Sequence, residues 1–333
     1  MLKLLVLTTA FALCLSHPLD EISKTNGTAQ DVIDLSQYSS EIYGKPDEKE
    51  TGKVVEEYTE DSGVNPEELG SYVEGDILFT EQRTGRNGLA KQTARWPNGI
   101  VPFVIEGNFN NRDMGIIEEA VMEYHRKTCI RFVPRSSETD YISLVSGRSG
   151  CWSAVGRTGG RQEVNLQSPG CLTKVGTAIH ELMHALGFLH EQNRHERDDY
   201  VTVQFQNIQP SAVGNFDKAS AASTIDFGVP YDYGSVMHYS GSAFSTNGRP
   251  TIIARQGNAN MGQRDGFSPR DLQKVNSMYN CNRNSAGIEG NGVVPQQPHG
   301  QAGGRPNLFL SFLGGLANGL GIKDEESVDN NKV

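Results

Sequence analysis

The chain has 333 residues, 36% of them hydrophobic, and a formal net charge of −10, which is enough chain for one or two domains with a substantial core. It carries 30 Lys and Arg against 40 Asp and Glu without a basic cluster, so no nucleic-acid partner is expected. The acidity is local: residues 17–86 hold 17 acids and 6 bases, whereas residues 87–333 hold 23 of each.

The opening MLKLLVLTTAFALCLS has one lysine, an apolar run and small residues at Cys14 and Ser16. It predicts a secretory signal over residues 1–16, too short to serve comfortably as a membrane span, and no transmembrane segment is expected. The chain is therefore placed outside the cell, where disulfides persist. Loss of Cys14 leaves Cys129, Cys151, Cys171 and Cys281, which predict two bridges with three connectivities open. The one glycosylation sequon is at Asn26. Residues 17–71 are polar, acidic and poor in aromatics, and predict a loosely folded segment. A firmer stretch follows in YVEGDILFTEQR.

From Trp96 the texture becomes that of a globular domain. PFVIEGNF predicts a strand, and DMGIIEEAVMEYHRKT an amphipathic helix with Met114, Ile117, Val121 and Tyr124 on one side. Short strands follow at IRFVP, DYISLVSG and QEVNLQ, divided by glycine-rich turns. After the HELMHALGFLHE region the chain reads as mostly irregular until DLQKVNSMYN, which predicts a last helix near Cys281. Residues 282–333 read as a low-complexity, disordered tail. Its apolar stretch LFLSFLGGLANGLGI is glycine-broken and too short to span a membrane.

HELMHALGFLHE, residues 180–191, carries the chemistry. His180 and His184 are four apart, so a helix sets them one turn apart on one face. His190 could not join them on a continuing helix, which over ten residues climbs about 15 Å and turns roughly 80° away. The helix must stop, and Gly187 accepts the positive φ of a C-terminal turn. Three imidazoles then converge on one zinc ion and leave its fourth position to water, as in a catalytic site. Glu181 is placed to take that water's proton.

These residues resemble the astacins, a family within the metzincins. HELMHALGFLH is followed by Glu191, Arg194, Glu196, Arg197 and Asp198, similar to the astacin extension except that Glu196 stands where Asp is usual. SVMHY at 235–239 resembles the Met-turn with its tyrosine. The similarity runs over about residues 87–281 and includes the cysteine intervals and CWSAVGRTGGRQEVNL. It implies an α+β fold: a twisted sheet with two long helices above the cleft and a largely irregular lower half. It further implies bridges Cys129–Cys281 and Cys151–Cys171, Met237 as an apolar floor under the zinc, and QEVNL as the edge strand that pairs with an extended substrate. Tyr239 would ligate the resting zinc and swing away to bond the developing oxyanion.

VEGDI at 73–77 resembles the astacin pro-segment motif with Val73 in place of Phe. The resemblance implies that residues 17–86 are a propeptide in which Asp76 replaces water on the zinc. A trypsin-like protease would cut after Arg86, and the new α-amino group of Asn87 would reach Glu191 through water. Arg264, in MGQRDGFS, falls where family members with a basic residue favour acidic side chains after the scissile bond, although the adjacent Asp265 offers an internal partner. The expected function is a secreted, zinc-dependent endopeptidase acting on proteins or peptides. A non-catalytic binding protein on the same scaffold is the alternative, disfavoured because Glu181 and every ligand are present. A matrixin would need a pro-segment cysteine, and none lies between Cys14 and Cys129; an adamalysin normally has Asp where Glu191 stands.

Overall fold

The structure, a computed structural model, describes residues 32–38, 40–80, 93–257 and 259–281. The expected signal at 1–16, the Asn26 sequon, the Arg86–Asn87 junction and the tail at 282–333 lie outside the described residues. Strand β1 (Val32–Ile33) and helix α1 (Thr51–Glu56) belong to the acidic segment, and β2 (Thr93–Ala94) pairs antiparallel with β1. There follow β3 (Ile100–Ile105), helix α2 (Asn111–Lys127), β4 (Arg131–Pro134), β5 (Tyr141–Val145), β6 (Cys151–Ser153) and β7 (Arg161–Leu166). Helix α3 (Val175–Leu186), β8 (Val201–Val203), β9 (Ile252–Ala254) and helix α4 (Pro269–Met278) complete the named elements.

Five strands form one sheet in the order β4-β3-β5-β7-β6, parallel except for β6 against β7. Parallel neighbours cannot be joined by a tight turn, and α2 is the crossover from β3 to β4. Its start is fixed by Asn110, whose side chain accepts from the Arg112 and Asp113 amides while Asp113 accepts from the Asn110 amide. Ile117, Ala120, Val121 and Tyr124 bury its inner face; Met114 is only partly covered.

Helix α3 is buried from Gly176 to Leu186, between α2, the sheet and the loops below. A helix with no wet face cannot give its last carbonyls to water. Here the Trp96 indole donates to the Ala185 carbonyl (2.9 Å) and the Tyr279 hydroxyl to Leu186 (2.7 Å). Nearly two turns earlier, Tyr124 donates to Ile179 (2.8 Å). Gly187 ends the helix at φ 113°, as its place between the second and third histidines requires. Below α3 the chain is largely 3-10 turns around the short β8–β9 ribbon and an apolar cluster of Val201, Phe216, Tyr239, Phe244 and Ile252.

Two expectations are corrected. QEVNL lies in β7, an interior strand, because CWS returns through a glycine-rich turn and pairs back along it as β6. The free edge is therefore β6, and residues 76–78 occupy it: the Ser153 amide donates to the Asp76 carbonyl (2.9 Å) and the Leu78 amide to the Ser153 carbonyl (3.0 Å). Nor is the acidic segment loose where it is described. Leu35, Ile42, Ile77 and Phe79 pack with Ala154 and Val155, and Val55 joins the main core. Several of its carboxylates, Glu67, Glu68 and Asp76 among them, are buried against partners of the domain.

Bridges Cys129–Cys281 and Cys151–Cys171 are both formed, closing sequence separations of 152 and 20 residues. Loop-closure entropy gives about 5 kcal/mol for the first and about 3 kcal/mol for the second. Paired Cys→Ala variants should lose stability in that order in urea unfolding, and equal losses would contradict it.

Candidate metal centre

The centre is built from α3, the chain that doubles back after it, and a loop of the acidic segment. In that loop the Gly75 amide donates to the Tyr72 carbonyl and the Ile77 amide to Val73, both at 2.9 Å. Gly75 takes φ 86°, and a Cβ there would lie 2.7 Å from the Phe244 ring and 3.0 Å from the Glu67 carbonyl. Only glycine turns so tightly against those neighbours. The turn delivers Asp76 to the histidines.

One ligand atom each from Asp76, His180, His184 and His190 lies within 4.8 Å of the others, all four residues buried. Each ring is held by its other nitrogen: His180 Nδ1 on the Val236 carbonyl (2.8 Å), His184 Nδ1 on the Phe188 carbonyl (2.8 Å) and His190 Nδ1 on Glu74 Oε2 (2.7 Å). Such bonds orient the imidazoles and leave Nε2 as the donor toward a metal. Asp76 Oδ1 and His184 Nε2 face each other at 3.4 Å, both buried and neither in a hydrogen bond among the described residues, an arrangement that an ion between them would satisfy.

Charge points the same way. Burial lowers His180 to about 4, so it remains a neutral ligand. Burial would lower His190 too, but the Asp76 and Glu74 carboxylates outweigh it and raise it to about 10. Asp76 is held well below the usual carboxylate range by His190, His184 and His180 in spite of its burial. The centre favours a positive charge between its carboxylates, and its three imidazoles and one carboxylate oxygen suit zinc.

Glu181, next in sequence to His180, has both oxygens buried and unpartnered among the described residues. Burial pushes its pKa well above the ordinary range, and the Asp76 and Glu67 carboxylates add to the rise. Tyr239, expected as a ligand of the resting zinc, is buried beside His190, with ring centroids 4.6 Å apart. Its hydroxyl donates to the Glu74 carbonyl at 2.6 Å, since the loop that brings Asp76 in also offers this acceptor. Met237 is buried in the main core, beside Val236, and its carbonyl accepts from the Glu191 amide at 3.0 Å. Asp271 at the start of α4 holds this turn through the Ser235 hydroxyl and the Val236 amide.

Glu191 already has partners: it pairs with Lys274 and accepts from Arg194 (3.1 Å) and the Asp232 amide (2.8 Å). A cavity of about 240 Å³ adjoins it, lined in part by Ile33, Arg95, Phe227 and Lys274. Glu196 pairs with Arg194 at 2.5 Å, so the longer carboxylate keeps a salt bridge. Arg264 is buried and ion-paired with Glu67 of the acidic segment. Asp265 does not neutralise it; its side chain is 82% exposed and lies 3.5 Å from Lys174.

Sequence reasoning missed Glu67, Glu68, Glu74 and Tyr38. Glu68 accepts from the Ser240 amide and hydroxyl, both at 2.6 Å, and Tyr38 donates to Glu74. Glu74 sits inside the quoted VEGDI and could have been suspected. The partners of Glu67 and Glu68 are 197 and 172 residues away, and no local pattern announces them.

Comparison with known proteins agrees with this geometry. The family model "Astacin (Peptidase family M12A)" matches residues 88–280. Zinc metalloproteinase nas-4 of Caenorhabditis elegans is 42% identical over 234 residues, 67% of this chain and 72% of its own length. Zinc metalloproteinase nas-8 of Steinernema carpocapsae is 43% identical over 225 residues, 64% of this chain but only 53% of its own. Among solved structures, high choriolytic enzyme 1, a hatching-enzyme zinc protease from the medaka fish Oryzias latipes, is 42% identical with a TM-score of 0.53. That match covers 57% of this chain and 94% of the medaka chain. A family match over more than half the chain, on a buried cluster of three histidines and one aspartate, shows that the chain belongs to the astacin family of zinc metalloendopeptidases.

Proposed function

We propose that the chain is a secreted zymogen and that Glu181 is the general base of its peptidase. The observation that carries this reading is a carboxylate with two unpartnered buried oxygens beside three imidazoles that face a carboxylate of the N-terminal segment. Zinc held by His180, His184 and His190 supplies Lewis acidity toward a peptide carbonyl and toward water. Glu181 accepts the proton of the attacking water and returns it to the leaving amine. The Tyr239 hydroxyl, freed from the Glu74 carbonyl, donates to the developing oxyanion. The binding-protein alternative has no observation in its favour.

Residues 17–86 act as the propeptide, with Asp76 in the place of water. Cleavage after Arg86 by a trypsin-like protease frees Asn87, and the cavity beside Glu191 and Lys274 is its seat. A buried ammonium needs such a carboxylate. Before cleavage, Val32 and Ile33 of β1, which pairs with β2, line that cavity together with Arg95. The buried pairing of Arg264 with a glutamate supports an acidic preference immediately after the scissile bond, because the guanidinium fork matches a carboxylate.

Glu181→Ala should bind one zinc per chain and lose about 10²–10⁴-fold in peptidase turnover, since general-base catalysis is removed while the ligands stay. Turnover near wild type would refute the mechanism. His190→Ala should instead lower zinc content after dialysis, measured by metal analysis.

The Asp76→Ala precursor should hydrolyse peptides before any cleavage, and N-terminal sequencing of the processed form should read Asn-Gly-Leu. A silent precursor that still activates normally with added protease, or a different N-terminus, would overturn the latency assignment.

Peptides with Asp or Glu after the scissile bond should be cleaved faster than those with Asn or Gln. The preference should fade at high salt and vanish in Arg264→Ala. An apolar preference unchanged by that substitution would leave Arg264 a structural residue.

A further inference from the structure

The contact between Glu67 and Arg264 is separate from the one between Asp76 and the histidines. The 3-10 turn Pro66–Leu69 follows Asn65, whose amide and side chain both donate to Glu68. The turn presents two successive glutamates inward. Glu68 takes the Ser240 amide and hydroxyl; Glu67 takes the Arg264 Nε and lies 3.5 Å from the Thr177 hydroxyl. Arg264 Nη1 also donates to the His238 carbonyl (3.1 Å) and the Gln263 carbonyl (2.8 Å), while Nη2 has no partner among the described residues. Glu67 is fully buried, Arg264 is 2% exposed, and Glu67 comes within 4.0 Å of His180 Nδ1.

Among the described residues Glu67 is the one carboxylate ion-paired with Arg264. Departure of the acidic segment would leave a buried guanidinium without its anion, a costly state. Two things can relieve it: the segment stays, or another carboxylate arrives. We infer that Glu67 is a second lock on the cleft, an internal stand-in for an acidic substrate side chain that fills the Arg264 subsite independently of the Asp76 anchor. Latency and selectivity for acidic substrates then share one physical cause. The inference rests on the proposed latency of the precursor, and it adds an anchor that a missing metal ligand alone would not reveal.

The test uses the full-length, zinc-loaded precursor and a peptide with a neutral residue after the scissile bond. Activity is measured before and after removal of the N-terminal segment by a trypsin-like protease. Wild type, Glu67→Gln, Asp76→Ala and the double variant all yield the same mature molecule, so the activity after processing reports the folded fraction. The ratio of the two activities measures the leak. Loss of one partner of a buried charged bond should raise that ratio about ten- to a hundredfold in Glu67→Gln, and further in the double variant than in Asp76→Ala alone. In an Arg264→Met background, Glu67→Gln should add no leak, whereas a segment that had merely loosened would leak as before. Glu67→Asp keeps the charge but is one methylene shorter, and should leak measurably; it carries the test if the glutamine variant does not fold. A Glu67→Gln ratio equal to wild type, with Asp76→Ala leaking, would overturn the second lock and leave the latency reading intact. If Asp76→Ala were silent as well while the processed enzyme worked, both would fall.

Discussion

Three imidazoles buried around one point need a cation among them, and the cation in turn needs an anion. Much of the structure serves that requirement. Helix α3 supplies two rings at one-turn spacing, Gly187 turns the chain so that His190 supplies the third, and the Gly75 turn brings Asp76 to face them. Backbone carbonyls fix two of the rings from behind, while Glu74 fixes the third with a second negative charge. The rings are thus oriented by bonds on the side away from the metal position.

The acidic segment meets the domain along the same line of reasoning. Its composition is that of a disordered chain, low in apolar residues and strongly negative, and composition alone favours solvation. What orders it is the packing of Leu35, Ile42, Ile77 and Phe79 on the domain, together with pairing of individual carboxylates: Glu67 with Arg264, Glu68 with Ser240, Glu74 with His190, Asp76 with the histidines. A negative net charge does not distinguish a solvated chain from one whose anions are each matched. The difference lies in the partners, and those are far away in sequence.

Legibility in the sequence followed the range of the interactions. The HELMHALGFLHE stretch carries its own geometry, because helix periodicity and one glycine turn determine where three side chains point, and the four strands and three helices marked by apolar spacing are present. The order of the sheet was harder. QEVNL has the alternation of a strand, but whether it lies at an edge depends on where CWS folds back, which periodicity does not encode. The bond of the Tyr239 hydroxyl to the Glu74 carbonyl, 165 residues distant, is hidden for a similar reason: its own neighbours in sequence say nothing of that acceptor. Glu191 likewise shows its partner Lys274 only once α4 has packed beside it.

The grip on the end of α3 has a consequence for motion. Trp96, Tyr124 and Tyr279 come from three separate parts of the chain, and each holds a carbonyl of the helix that bears two of the histidines. A helix end in water frays on its own, whereas this one opens only with the packing of Trp96 and Tyr279 at its last turn, and Tyr124 holds it further in. Its amides are therefore expected among the slowest of the molecule to exchange hydrogen. The spacing of His180 and His184 is as rigid as the core itself, so an arriving ion meets two donors that it has no need to order.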